Sequence, residues 1–318
     1  MATLSPKYIA GFLDADGSIG VRFHADCVTP QMTISFSQKT EQDEVLQRIH
    51  EELGGSLHIA TILSGGKPIK VSHLVFGGNP QSQRLLNRIK QFLVVKRHYA
   101  DVCLDVCSRR IDKEEIPTVR EYLKIQRKQR ALPLPKHPTR GWLAGYIDGD
   151  GCISVGCIYG PSGNANMILH IAASAFDTEG IETIQKQFGG RISEMCGGRV
   201  RQYQLQLPAS KAIEVFAPIL PYMIVKHDQA EFLLKCAAMG HFRDGENIKA
   251  ALKHLKAHPH RLNEPKPNLV ALVNTIRDLP KHQRDPVEHA ESVQKMQRAL
   301  AAKRAMRQSE STVSIGAV

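Results

Sequence analysis

The sequence predicts an α+β protein of two similar halves, each running helix, strand, strand, helix, strand, strand, helix (αββαββα). Three observations lead there. YIAGFLDADGSI at residues 8–19 returns as WLAGYIDGDGCI at 142–153, and an internal repeat takes priority over any single segment. Each copy is followed by segments that alternate apolar and polar residues, the period of a half-buried strand. Each half then shows apolar residues at helical spacing that stop at a glycine pair, Gly54-Gly55 and Gly189-Gly190. The resulting organisation is a first domain at 1–110, a charged helix and proline-rich linker at 111–138, a second domain at 139–258 and a basic helical extension at 259–318.

The repeated stretch reads as an amphipathic helix with punctuated ends. Ser5-Pro6 offers an N-cap followed by proline at the first helical position, and Thr139 is the cap of the second copy. Gly17 and Gly151 are expected to end the helices in a left-handed conformation. Gly11 with Ala15, and Gly145 with Gly149, lie four apart on one face. Residues without bulk let two backbones approach closely, an argument best known from membrane helices but steric in origin. The two helices should therefore pack together and gather Asp14, Asp16, Asp148 and Asp150 at their C-terminal ends. A helix C-terminus is already partly negative, so acids clustered there argue for a bound cation, and oxygen-only ligands suit Mg2+ or Mn2+. A calcium loop is excluded, because it wants glycine at its sixth position and glutamate at its twelfth. The two copies have Ile19 and Ala25, or Ile153 and Tyr159, there. One copy alone would read more readily as a buried helix ending at a turn; the second copy changes that.

In the first half, 18–23 alternates Ile19, Val21 and Phe23 with Ser18, Gly20 and Arg22, and 31–37 alternates Met32, Ile34 and Phe36 with polar residues. The polar face, with Arg22, His24, Gln31, Thr33, Ser35 and Ser37, has groups of the reach that suits base edges in a major groove, and equally fits an ordinary solvated face. Val45, Leu46, Ile49 and Leu53 predict a covering helix over 41–53. Strands at 57–62 and 70–76 are joined by a turn at 64–68, and 81–93 returns to helix.

The second half repeats the order. Residues 152–158 and 166–173 form its first strand pair, and Ile181, Ile184 and Phe188 mark its covering helix. At 201–207, Tyr203, Leu205 and Leu207 alternate with Gln202, Gln204 and Gln206, a glutamine ladder and the strongest base-reading candidate. Each half then reaches a helix preceded by a lysine, FLVVKRHYADVCLDVC with Lys96 and PYMIVKHDQAEFLLKC with Lys226. A lone lysine there would be a solvated cation; the repeat raises it above that. Between the halves, 112–130 is a charged helical stretch and 132–138 a stiff extended linker. Residues 246–256 look like the helical counterpart of 112–130. Proline-punctuated helices are expected at 269–277 and 287–307, as a phosphate-contacting extension or a solvated appendage.

With 318 residues, 42% hydrophobic and 23% charged, the chain is long enough for two cores of domain size. The formal net charge of +11 favours a polyanionic partner, although ribosomal and membrane-surface proteins share it. Seven cysteines form no CxxC pair, which suggests neither a zinc module nor a disulfide framework but a reducing compartment. No apolar run suits a membrane span, and the first residues lead straight into a helix without a signal or transit segment. An intracellular location is expected, in a bacterial cytoplasm or in an organelle such as a chloroplast or mitochondrion.

At the two repeated stretches the chain resembles the LAGLIDADG homing endonucleases, in the form where one chain carries both motifs. The recurring segments extend the resemblance over roughly residues 5–258. It implies pseudo-symmetric domains whose antiparallel sheets face DNA, and site-specific, divalent-metal-dependent hydrolysis of phosphodiester bonds in a long double-stranded target. In the family the second acid of each motif binds the metal, which falls on Asp16 and Asp150, with the backbone carbonyls of Ala15 and Gly149 beside them. The family's lysine near the metal falls on Lys96 and Lys226, and its polar residue at the edge of the site falls on Gln38. The second half departs from that pattern. Depending on a short alignment gap, Ala173, Ala175 or Phe176 takes the place of Gln38, and Ser174 or Asp177 could serve only after a shift of register. An RNA maturase acting on intron RNA and a non-catalytic DNA-binding regulator remain alternatives on the same fold. With both motifs in one chain, a monomer spanning about 20 base pairs is expected.

Overall fold

The structure, a computed structural model, describes residues 3–24, 29–129, 138–154, 158–159, 165–166, 168–174, 178–195, 202–238, 245–257 and 269. The first half runs α1 (Pro6–Asp16), β1 (Gly17–Arg22), β2 (Gln31–Lys39), α2 (Glu44–Leu53), β3 (Ser56–Ser64), β4 (Lys67–Gly77), α3 (Asn79–Ile89) and α4 (Arg97–Cys107), and α5 (Ile116–Gln126) follows. The second runs α6 (Arg140–Asp150), β5 (Gly151–Cys152), β6 (Ile158–Tyr159), β7 (Ala165–Asn166), β8 (Ile168–Ser174), α7 (Glu179–Phe188), β9 (Arg191–Met195), β10 (Gln202–Pro208), α8 (Ala209–Ile219), α9 (His227–Ala238) and α10 (Gly245–Ala257). Each half carries one antiparallel four-stranded sheet. The orders β1-β2-β4-β3 and β5-β8-β10-β9 are the same path traced twice.

Alternation decides which face of each sheet is covered. Met32, Ile34 and Phe36 of β2 and Leu74 and Phe76 of β4 are buried, and α2 lays Val45, Leu46 and Ile49 into the same core. In the second half Leu205 and Leu207 of β10 meet Ile181 and Ile184 of α7 in that role. One apolar core runs through both halves, because α1 and α6 pack directly on each other along its middle. Their small residues make this possible. A Cβ added at Gly11 would collide with the carbonyl of Trp142 and lie 2.9 Å from Tyr146 N, and one at Gly145 would collide with the carbonyl of Tyr8 and lie 2.8 Å from Phe12 N.

Several expectations need correction. Gly17 and Gly151 are not left-handed, having φ −92° and −65° in extended backbone. Their lack of a side chain is required by proximity instead. A Cβ at Gly17 would lie 2.8 Å from the Leu13 carbonyl oxygen, and one at Gly151 would strike that of Ile147. Positive φ occurs at Gly54 and Gly189 (both +76°), where the covering helices stop. Thr139 accepts from Trp142 N at 3.3 Å as a cap should, whereas the side chain of Ser5 makes no cap bond and only its carbonyl receives Tyr8 N and Ile9 N.

The strand expected over 152–158 is broken. Gly151–Cys152 pairs with β8, while Ile158–Tyr159 pairs with β7 in a separate ladder. Strand β9 is required by the repeated order of elements, but the sequence pattern did not give its position. The linker at 132–137, Arg201, Ala175, Phe176, Asp177 and the extension beyond 257, apart from the buried Leu269, lie outside the described residues. Among the described residues no helix is long and apolar enough to cross a membrane.

Candidate active site at the paired helix ends

Four acids at the ends of α1 and α6 suggested a cation, but two of them have another explanation. Asp14 is buried, and its carboxylate accepts Val94 N at 2.7 Å, Val95 N at 3.2 Å and Lys96 N at 2.8 Å. Those amides lie in the bend that leads into α4, ending at its N-cap residue Lys96. A carboxylate that looks misplaced at the end of its own helix therefore ties down the approach to another, where amide donors and helix dipole both favour it. Asp148 repeats this on Ile224 N (2.7 Å), Val225 N (3.1 Å) and Lys226 N (2.9 Å), ahead of α9. Each acid takes a fourth bond across the helix pair, Asp14 from Trp142 Nε1 at 2.8 Å and Asp148 from Tyr8 Oη at 2.7 Å. Burial pushes the Asp14 carboxyl up, opposed by Lys96 and these donors. It raises the Tyr8 phenol well above its usual range, and the Asp148 carboxylate adds to that.

The lysines return the contact. Lys96 Nζ donates to the carbonyls of Leu13 (3.0 Å), Asp14 and Ala15 (3.5 Å) at the end of α1, where the Leu13 oxygen also accepts Gly17 N and the other two have no intrahelical donor. Lys226 Nζ donates to those of Asp148 and Gly149 (3.0 Å) at the end of α6. Burial lowers the Lys226 ammonium, opposed by Asp148, Asp16 and Asp150 in that order. Thus the second acids of both motifs act on one cation, although 134 residues of sequence (150 minus 16) separate them. Asp16 is half-buried; burial pushes its carboxyl up while Lys226 and Lys96 pull it down. Gln38, near the end of β2, donates from Nε2 to Asp16 Oδ2. Asp16, Asp150, Lys96, Lys226, Gln38 and the carbonyls of Ala15 and Gly149 are therefore gathered at the junction.

Strand pairing identifies the counterpart of Gln38. Gly17 faces Phe36 and Gly151 faces Ile171, so two residues further along, Gln38 corresponds to Ala173. The second pairing agrees, with Phe36 opposite Leu74 and Ile171 opposite Leu205. Of the alternatives left by the alignment gap, the register selects Ala173. Alanine offers no side-chain donor or acceptor.

The outer face of the first sheet pairs Arg22 with Gln31, Gly20 with Thr33 and Ser18 with Ser35, whose hydroxyls lie 2.8 Å apart. His24 is exposed just beyond β1. Two residues on this face were missed. Ser37 pairs with His73, bonding its Nδ1 at 2.8 Å, and His73 stacks on His58 with ring centroids 5.4 Å apart. The strands expected at 57–62 and 70–76 contain both, but only the pairing of His58 with His73 brings the two rings together. In the second sheet Gln202, Gln204 and Gln206 alternate with buried Leu205 and Leu207 on β10, as the ladder required. Beside the first motif, a cavity of about 380 Å3 is lined by Lys96, Lys124, Arg127 and Lys128 together with Ser18 and Glu179. A trio of His227, Asp228 and Glu231 opens α9, with Glu231 also 3.1 Å from Lys235.

No protein-family model matches this chain, and no curated protein matches it. Solved structures do. The meganuclease I-SmaMI bound to uncleaveable DNA superposes with a TM-score of 0.57 at 19% identity, over 80% of this chain and 98% of that one. The LAGLIDADG homing endonuclease I-GzeII in complex with its DNA target gives 0.57 at 15%, over 82% and 100%. The LAGLIDADG meganuclease I-AabMI bound to uncleaved DNA gives 0.56 at 15%, over 81% and 100%. I-SmaMI has also been solved on uncleaved DNA in the presence of calcium ions, with a TM-score of 0.56. With a duplicated α1/α6 pair, two antiparallel sheets of identical strand order and these superpositions, the chain has the fold of the LAGLIDADG homing endonucleases.

Proposed function

We propose that this protein is a site-specific DNA endonuclease that hydrolyses phosphodiester bonds in a long duplex target with the help of a divalent cation. The observation that carries the reading is the division of labour among the four acids. Asp14 and Asp148 hold the structure, while Asp16 and Asp150 both come to Lys226 from opposite halves, Asp16 lying beside Lys96 as well. The donor set fits Mg2+ or Mn2+: two carboxylates and the carbonyls of Ala15 and Gly149, oxygen throughout. A cation beside Asp16 would also offset the cost of ionising a carboxyl that burial pushes up. When bound, the ion supplies Lewis acidity toward a phosphodiester oxygen and a water molecule.

The chain's own groups have separate tasks in this scheme. Lys96 and Lys226 place their amino groups at the helix ends, where negative charge develops on an attacked phosphate. Gln38 orients Asp16. Arg22, Gln31, Thr33, Ser35, Ser37, His58 and His73 on one sheet, and Gln202, Gln204 and Gln206 on the other, are the base-reading groups, with His24 at the margin. The DNA-bound states of the superposed meganucleases support a duplex as partner.

A plasmid library with randomised duplex inserts, incubated with protein and Mg2+, tests this directly. Discrete cut clones should be recovered with Mg2+ and none in chelator. Asp16→Asn and Asp150→Asn should each remove cleavage of a recovered clone while it still binds. Cleavage undiminished in chelator, or by either variant, would refute the reading. Tight binding to an intron transcript with no duplex cut would favour the maturase instead.

A further inference from the structure

The geometry points to a crosswise assembly of the site, in which each half's lysine is positioned by an aromatic side chain from the other half. Trp142 of α6 acts through Asp14 on Lys96, and Tyr8 of α1 acts through Asp148 on Lys226. This rests on the endonuclease reading only for its effect on cleavage; the positioning itself does not depend on it.

The two relays match atom for atom. Tyr8 and Trp142 occupy the same position in the two motif copies. Trp142 Nε1 meets Asp14 Oδ2 at 2.8 Å, and that oxygen also receives Val94 N and Val95 N, while Oδ1 receives Lys96 N. Tyr8 Oη meets Asp148 Oδ2 at 2.7 Å, and that oxygen receives Ile224 N and Val225 N, while Oδ1 receives Lys226 N. The lysine carried on each bound amide then turns its ammonium onto the carbonyls of the helix that supplied the acid. Both aromatics and both acids are buried, with relative exposures of 0–1%. Water therefore has little access to replace a lost donor, and a carboxylate short of one partner must shift or draw in the others.

Tyr8 and Trp142 touch neither DNA nor cation in this scheme, so they are positioning residues. A half that kept its own acid, lysine and sheet would still lack the donor that orients its buried carboxylate. Interactions of this kind behind a functional group typically alter function by about 10- to 100-fold.

Amide hydrogen exchange on the whole protein is the first test, since it needs neither DNA nor activity. Trp142→Phe should speed exchange at 94–96 by about tenfold and leave 224–226 unchanged, and Tyr8→Phe should do the reverse. Tyr8→Phe is nearly isosteric, so it remains decisive even if Trp142→Phe loosens the core. A uniform rise at both segments, or no change at either, would overturn the proposal.

The second test measures each strand separately on a clone recovered from the randomised library. Trp142→Phe should slow the strand served by Lys96 and Tyr8→Phe the opposite strand, each by about tenfold or more. Equal slowing of both strands would mark a merely structural role and overturn the proposal. If the unmodified protein cuts no clone, the endonuclease reading fails and the exchange pattern alone decides the proposal.

Discussion

Gln38 and Ala173 occupy the same place in the two halves, and only the glutamine carries a side-chain hydrogen-bond donor there. The strand served by Gln38 and Lys96 should therefore be cut first, giving a nicked intermediate on supercoiled plasmid. Gln38→Ala should bring the two rates together by slowing the faster strand about tenfold, a loss of ~1.4 kcal/mol in transition-state stabilisation. End-labelling each strand checks this, and equal rates in the unmodified protein would refute it. Single residues were unevenly legible in the sequence. Asp16, Asp150, Lys96, Lys226 and Gln38 were recoverable because each sits at a fixed offset from a repeated motif. His58 and His73 were not, because an exposed histidine in an alternating strand looks like any solvated one until pairing places the two rings together. Ala173 required the ladder itself, since a gap of one residue in an alignment shifts the counterpart while hydrogen-bonded partners cannot be renumbered.

Among the elements, α1 and α6 carry the strictest packing. Gly11→Ala or Gly145→Ala would drive a methyl into a facing backbone that has no rotamer to yield, so each should cost about 2–3 kcal/mol. Gly20→Ala, with nothing within 4 Å of its new carbon, should stay within about 0.5 kcal/mol. Urea denaturation of the three variants separates these outcomes. The helix pair and its face were readable from spacing alone, since small residues four apart have few other uses. The function of the first acids was not. A carboxylate at a helix C-terminus argues for a cation only while its surroundings are unknown. The amides of 94–96 lie 80 and more residues away in sequence and reach Asp14 through the tertiary fold. The position of β9 escaped for a related reason: 191–195 has too short an alternation to stand out, and becomes a strand by pairing with the glutamine ladder.

For the molecule as a whole, two motifs in one chain complete the helix pair without a second copy, and the net charge of +11 provides for a long polyanion. The protein should sediment as a monomer on a single site, and its affinity should fall steeply with salt, losing about 10^3-fold or more between 50 and 200 mM if six or more phosphates are neutralised. A dimer on one site, or a flat salt profile, would contradict this. The backbone contact between α1 and α6 has a mechanical corollary as well. Helices that meet without side chains between them, with a common core on either side, leave no play at the centre of the protein. If the protein binds a duplex as proposed, its two sheets would resist swinging to follow a straight one, and misfit would fall to the softer body, the DNA. Base pairs over the midline would then be selected for how easily they bend, with pyrimidine–purine steps favoured where no side chain reads them.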